Sequence, residues 1–315
     1  MAILTTFLPG DSGIIIFLGL ICLGFIIGVL SGLFGVGGGF LMTPMLNAVF
    51  GIPYNIAVGS SLAQMVGTSA AASLRHRSYG HLDYKLALFT LVGSLGGAEL
   101  GARVLVKLRE SGSITLHNHP VNKMYLWITF IYIVLLLVVG VSMFLESRKA
   151  RRRSPRGGIV TTRISRKIQE MNVGPLISLP VSRIPSISVW IIIGVGFLIG
   201  ILSGLLGVGG GFIITPAFIY LFGVPTTVAV GTGLFQIIFT SGYGALTHFF
   251  KGNVDFTLVA GILAGSLIGS QFGAMLNKRL RGAHIRYYFS WVVFIAIGII
   301  ITKFLYNLGY FDLVR

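Results

Sequence analysis

An all-α polytopic membrane protein made of two inverted repeats is the fold class this sequence predicts, and three observations carry it. Apolar runs of 18 or more residues recur along the chain, each long enough to cross a hydrocarbon core of about 30 Å. A glycine-rich turn occurs twice. Basic residues gather in a few short segments between the apolar runs.

The turn is Ser31-Gly32-Leu33-Phe34-Gly35-Val36-Gly37-Gly38-Gly39-Phe40-Leu41-Met42-Thr43-Pro44. It returns 172 residues later as Ser203-Gly204-Leu205-Leu206-Gly207-Val208-Gly209-Gly210-Gly211-Phe212-Ile213-Ile214-Thr215-Pro216. Residues 31–108 align with 203–280 without a gap, at 34 identities in 78 positions, which is an internal duplication. Each glycine costs a helix roughly 0.5–1 kcal/mol relative to alanine, so each copy is expected to break the helix that enters it.

The composition agrees. The 315 residues are 54% hydrophobic and 10% charged, against about 25% charged in soluble domains. The net charge of +16 raises a nucleic-acid reading, since basic proteins bind phosphate backbones. Distribution excludes it: the largest cluster, Arg148 to Arg156, directly follows an apolar run. That pattern fits the positive-inside rule and contact with the anionic lipids of the bilayer. The single cysteine, Cys22, cannot form an internal disulfide and is expected to fill the core. The first residues lack the basic start of a signal peptide, so the first apolar segment is expected to be retained.

In order, Ile14 to Phe34 is the first expected span, and a short piece from Gly38 to Phe50 follows the turn. Thirteen helical residues reach only about 20 Å, too short to cross upright. Asn55 to Leu74, Tyr84 to Val106 and Met124 to Leu145 are the next spans, with a basic turn at 75–83 and a polar loop at 107–123. The second half repeats this: Ser186 to Leu206, a short piece Gly210 to Phe222, then Thr226 to Phe249, Asp255 to Leu276 and Ile285 to Tyr306. The expectation is eight long spans plus two short or broken helices, about five membrane segments in each half. The division is residues 1–145, a basic cytoplasmic linker 146–185, and 186–315. The linker carries four prolines; a short amphipathic surface helix is conceivable in its middle, and no fold is assigned to it.

Charge decides between parallel and inverted halves. With five crossings per half, Arg148 to Arg156, the 75–85 turn and the 277–286 turn all fall inside. With four, the 277–286 turn falls outside. The positive-inside rule therefore favours ten segments, inverted halves and both termini outside.

The candidate binding residues follow from the repeat. Gly37, Gly38, Gly39 and Gly209, Gly210, Gly211 precede the short helices. Free amides and a positive dipole end there favour an anion; tight packing with no ligand is the competing reading. Thr43 and Thr215 sit one turn in, before a proline, facing either substrate or their own backbone. Gln64 and Gln236 are repeat partners in mid-helix, offering neutral donors to an oxyanion or bonding a neighbouring helix. Thr68 and Thr240 lie one turn further on.

His76 and His248 are also repeat partners, as are Asp83 and Asp255. Histidine titrates near neutrality, which suits coupling or gating; interfacial capping and turn formation is the alternative. Glu99 and Arg103, at i and i+4, are expected to pair, as a coupling element or a structural ion pair. Gln271 and Met275 stand at the equivalent positions. Glycines recur every fourth residue at Gly93, Gly97, Gly101 and at Gly261, Gly265, Gly269, Gly273. That spacing suits close helix contact, between the halves or between subunits of a homodimer. His117 and His119 are a loop feature, a solvated loop with weak metal binding as the alternative. No catalytic or metal-binding constellation is present, so no enzyme activity and no cofactor are expected.

These motifs, with the Gly-(Ile/Val)-Pro at 51–53 and 223–225 and the Ala-Val-Gly at 57–59 and 229–231, resemble those of the TauE/SafE family of membrane permeases, the sulfite exporter family. The resemblance spans both halves and omits the linker. It implies secondary transport of a small sulfur oxyanion, sulfite or an organosulfonate, across the bacterial inner membrane, with the motif glycines and the following polar helix as the binding region. It gives no role to Glu99 and Arg103. Alternating access between the halves is the expected mechanism. An anion channel and a non-transporting membrane scaffold remain as alternatives.

Overall fold

The computed structural model describes residues 12–109, 113–116, 119–153, 162–171, 173–206 and 210–307. The helices are α1 (Ser12–Phe34), α2 (Gly39–Phe50), α3 (Tyr54–Ser78), α4 (Tyr84–Arg109), α5 (Lys123–Arg153), α6 (Arg163–Glu170), α7 (Val189–Leu206), α8 (Gly211–Tyr220), α9 (Thr226–Phe250), α10 (Phe256–Arg279) and α11 (Gly282–Asn307). Two antiparallel hairpins join them, β1 (Ser113–Leu116) with β2 (His119–Asn122), and β3 (Leu176–Leu179) with β4 (Ile184–Ser188).

The order of long and short helices is the expected one, and the fold is all-α apart from the hairpins. By length and apolarity α1, α5, α9, α10 and α11 suffice to cross a membrane, which makes this a multi-pass membrane protein. Helices α3 and α4 are as long but more polar, because α3 carries a row of hydroxyls and both carry charges at their ends. Two C-terminal boundaries differ from expectation by more than one helical turn. Helix α3 continues through Arg75, His76 and Arg77, where cations meet the negative end of the dipole. Helix α5 runs past Leu145 to Arg153. Cys22 is exposed, not core filling: the core-facing positions around it on α1 are Leu20 and Ile27.

The two halves are interleaved. Helix α1 lies along α10, and α4 along α7, through glycine seams. A Cβ on Gly24, Gly28 or Gly32 would collide with the backbone at Ile262, Ser266 or Ser270 in turn, and Gly265, Gly269 and Gly273 answer from the other side. Gly93, Gly97 and Gly101 meet Ile193, Phe197 and Ile201 in the same way. Residue numbers rise together in both seams, so each pair is parallel. Every such glycine replaces a side chain with van der Waals contact between backbones. The first helix of each half thus packs on the fourth of the other.

The helices that the repeat makes equivalent run antiparallel to each other. Along α3 and α9, Gly59 lies against His248, Leu62 against Gly244, and Val66 against Gly242. Along α5 and α11, Gly140 lies against Phe294, and Phe144 against Tyr287 at 5.9 Å.

The linker has structure of its own and joins both halves at one end of the bundle. Thr162 and Ser165 form a capping box that starts α6. The Thr162 hydroxyl donates to the Tyr220 carbonyl at 2.7 Å, and Gln169 Nε2 donates to the Phe222 carbonyl at 2.7 Å. These bonds occupy carbonyls left free where α8 ends. In the β3–β4 turn, the Ser182 hydroxyl donates to Asp83 Oδ2 at 2.7 Å. Asp83 Oδ1 also accepts the Leu86 amide at 3.2 Å, capping α4.

Candidate functional site

Glycine places the site. Gly35, Gly37 and Gly38 have φ of 73°, 68° and 84°, and Gly210 has 72°. This left-handed region is open to glycine and strained for other residues. The chain therefore leaves α1, reverses, and starts α2 with Gly38 as its N-cap; Gly210 starts α8 in the same way. Neither N-cap has a side chain, so neither helix has a side-chain cap on its first-turn amides.

The two turns meet halfway along α3 and α9. A Cβ on Gly37 would stand 2.7 Å from Met65 Cε and 2.9 Å from Ile237 Cγ2, and one on Gly211 would stand 2.7 Å from Ile237 Cδ1. Met65 and Ile237 are each the twelfth residue of their helix. The Val36 carbonyl packs directly on Gly211. Phe40 and Phe212 bring the two first turns into ring contact at 5.8 Å. From this point α2 leads to the start of α3 and α8 to the start of α9. Since α3 and α9 are antiparallel, the two short helices point to opposite ends of the bundle, with their positive dipole ends converging in the centre.

A buried polar row lies beside each turn. In the first half, Thr43 Oγ1 and Ser61 Oγ are 2.8 Å apart. One turn on, the Thr68 hydroxyl donates to Gln64 Oε1 at 2.7 Å, and Ser266 of α10 lies 2.6 Å from Thr68 and 3.4 Å from Gln64. In the second half, Gln236 Oε1 accepts from Thr90 of α4 at 2.9 Å, and its Nε2 donates to Ser94 at 3.2 Å. Thr215 donates to the Gly35 carbonyl at 3.0 Å, because Gly233 stands where Ser61 stands in the first half. Thr240 faces the Gln236 and Ile237 carbonyls at 3.4 Å. Thr43, Gln64, Thr68, Thr215 and Gln236 are buried.

The structure thus brings Gly37, Gly38, Gly39, Gly210, Gly211, Thr43 and Thr215 to one locus, with Gln64, Thr68, Gln236 and Thr240 on the two central helices beside it. Gly209 lies outside the described residues, as does His117; the side chain of His119 is not described.

The other sequence candidates lie elsewhere. His76 is buried near the end of α3, its Nε2 3.0 Å from the Gly32 carbonyl. Its ring is 5.7 Å from that of His81, which sequence reading did not single out as a candidate. The His81 imidazole is held below its ordinary value, first by burial and then by Lys278. Lys278 Nζ lies 4.4 Å over the Tyr79 ring, so the two basic turns share one end of the bundle. Asp255 caps α10 through the Thr257 and Leu258 amides, as Asp83 caps α4. Glu99 and Arg103 pair at 2.9 Å but are 48% and 72% exposed, so this is not a buried ion pair. Glu99 reaches Tyr243 at 3.5 Å.

Sequence reading missed the cross-half partners Thr90, Ser94 and Ser266. The repeat aligns Ser94 with Ser266, which was a usable signal, but the α4–α9 and α3–α10 contacts that make them neighbours are long range. It also missed Arg286, buried beside α9 with Nη1 on the Thr226 hydroxyl.

Residues 20–300 match the family model for the sulfite exporter TauE/SafE. The chain belongs to the TauE/SafE family. Among its TauE/SafE-type relatives, the probable membrane transporter protein YunE of Bacillus subtilis is 27% identical over 269 residues, 83% of this chain and 89% of that one. The probable membrane transporter protein YjnA of the same organism is 27% identical over 278 residues, 88% of this chain and 96% of that one. A probable membrane transporter protein of Methanocaldococcus jannaschii is 25% identical over 283 residues, 85% of this chain and 88% of that one. No solved structure matches the chain. As a member of the TauE/SafE family the chain is a membrane transporter, not an enzyme.

Proposed function

We propose that this chain is a secondary transporter that exports a small sulfur oxyanion, sulfite or an organosulfonate, across the bacterial inner membrane. The observation that carries the reading is the convergence of two half-length, uncapped helix starts between two antiparallel central helices. Amides with no side-chain cap and two positive dipole ends favour an anion, and they do so without a fixed cation that would hold it permanently. The family description supplies the sulfur chemistry.

The halves are read as inverted repeats. Support comes from the antiparallel α3–α9 and α5–α11 pairs, because a parallel duplication would set equivalent helices side by side in the same direction. The shared end of the 75–81 and 278–286 basic segments supports placing that end in the cytoplasm. Interleaving lets the two halves rock about the central anion, exposing it to each side in turn. Export of one negative charge gains about 2.3 kcal/mol per 100 mV of membrane potential, so no coupling ion is required by energetics. His76, His248 and the Glu99–Arg103 pair flank the centre and are proposed as gating groups at the two ends.

Flux of radiolabelled sulfite into proteoliposomes, with sulfate and taurine in parallel, tests the proposal. Saturable flux of sulfite or a sulfonate is expected. Flux that rises linearly with concentration would make the protein an anion channel, and no flux of any sulfur anion would leave the scaffold reading.

A further inference from the structure

The repeat makes Gln64 and Gln236 equivalent, and both are buried, yet their amides are used differently. Gln236 has a partner at both ends: its Oε1 lies 2.9 Å from the Thr90 hydroxyl, whose one proton it shares with the Leu86 carbonyl, and its Nε2 donates to Ser94 at 3.2 Å. Gln64 is bonded at one end. Its Oε1 accepts from Thr68 at 2.7 Å and lies 3.4 Å from Ser266, while its Nε2 has no partner among the described residues. The difference lies in which end of each amide the fourth helix meets. Ser94 of α4 accepts from Gln236 Nε2, whereas its repeat counterpart Ser266 of α10 lies on Gln64 Oε1; Ile262 stands where Thr90 faces Gln236 Oε1.

An amide donor buried without an acceptor costs about as much as a lost hydrogen bond and calls for an explanation. Gln64 lies one turn beyond Ser61, whose hydroxyl joins Thr43 in the first turns of α2. The free donor therefore sits beside an uncapped helix start, and both features call for an acceptor.

Resting on the transport reading above, we infer that the anion site is one-sided: Gln64 donates to the substrate oxyanion, while Gln236 is a positioning residue that Thr90 and Ser94 lock to hold α9 against α4. Two oxygens of one small oxyanion then meet the α2 amides and the Gln64 amide together. The expectation that both glutamines contact substrate is narrowed to the first. The pseudo-twofold symmetry of the backbone is broken at the ligand, which gives a small asymmetric anion one preferred orientation.

The test is sulfite flux and sulfite-dependent thermal stabilisation of the detergent-purified full chain, in four proteins. Parent protein is expected to show both. Gln64→Glu keeps an oxygen for Thr68 and Ser266 but replaces the donor with a second oxygen. It is expected to fold, to lose the sulfite-dependent stabilisation, and to raise KM by about tenfold or more, the value of one charge-assisted hydrogen bond. Thr90→Val unlocks Gln236; it is expected to lower Tm while sulfite still stabilises it and KM stays within about threefold of parent. Gln236→Ala is expected to lower Tm further by removing the α4–α9 contact and leaving a cavity, again with sulfite-dependent stabilisation retained. Unchanged KM and stabilisation in Gln64→Glu, or loss of the sulfite response in Thr90→Val and Gln236→Ala equal to that in Gln64→Glu, would overturn the assignment. A parent protein that responds to sulfite in neither assay would instead overturn the transport reading on which it rests.

Discussion

Phe40 and Phe212 stand at equivalent positions of the two repeats, and their rings face each other with centroids 5.8 Å apart. Tyr132 and Phe289 complete the aromatic surround at 5.5 and 6.4 Å. Two helix starts that are 172 residues apart in the chain are thereby pressed against one another. Nothing larger than hydrogen fits at the closest points of this contact.

Gly211→Ala is therefore expected to destabilise the protein by about 1–3 kcal/mol, the usual cost of overpacking. Its Cβ would collide with the Val36 carbonyl and stand 2.7 Å from Ile237 Cδ1. Gly298→Ala in α11, where nothing lies within 4 Å of the new Cβ, should be neutral or stabilising by roughly 0.5–1 kcal/mol through helix propensity. Thermal unfolding in detergent measures both, and a Tm for Gly211→Ala at or above parent would reject the packing account.

Neither half should be stable alone. Separate expression of residues 1–160 leaves α1 without α10, and α4 without α7. Expressed singly, each half should be degraded or aggregate; co-expressed, the two should co-purify. Placing Gly97→Leu in the first half should abolish that association, since a Cβ at residue 97 already collides with the Phe197 carbonyl. Stable, monodisperse isolated halves would contradict the interleaved fold.

In the proposed orientation Lys278 and Lys251 lie on opposite sides of the membrane, because Lys251 stands in the turn that leads into α10 and Lys278 in the last turn of α10. In a Cys22→Ser background, Lys278→Cys should react with a membrane-impermeant maleimide only after permeabilisation, and Lys251→Cys in intact cells. The reverse pattern would turn the molecule over, and same-side labelling would refute a spanning α10.

Acid should weaken the end that carries His81. Burial and Lys278 depress its folded pKa below the ordinary 6.5, so its charged form is disfavoured in the native state. The stability this contributes is full above the unfolded pKa and is lost as pH falls through 6.5 toward the folded value. The groups facing it are His76, Tyr79 and Lys278. Tm should fall between about pH 7.5 and about pH 5.5, and His81→Asn, the residue found at the equivalent position 253, should flatten that fall. An identical pH profile in the variant would remove His81 from the account.

Much was legible in the chain itself. The duplicated glycine turn, the alternation of long and short apolar runs and the basic segments located helices α1 to α5 and α7 to α11 to within a few residues at most ends, because helix breaking and apolar run length are local properties. The pairing of Glu99 with Arg103 was legible for the same reason, being a contact across one helical turn. In the linker the sequence reading offered a short amphipathic helix, and α6 stands there; its docking and the β3–β4 hairpin were not legible, since they depend on carbonyls at Tyr220 and Phe222 and on the Asp83 carboxylate, all distant in sequence.

What only the tertiary structure decided is which repeats touch and how. That α1 lies on α10 and α4 on α7, that α2 and α8 start head to head, and that Ser94 accepts from Gln236 Nε2 while Ser266 meets the other end of the Gln64 amide are all long-range facts. Duplication made the two halves equal in sequence at both glutamines. The serine that each fourth helix supplies across the interface meets the amide nitrogen on one side and the amide oxygen on the other, and this made the halves unequal in space.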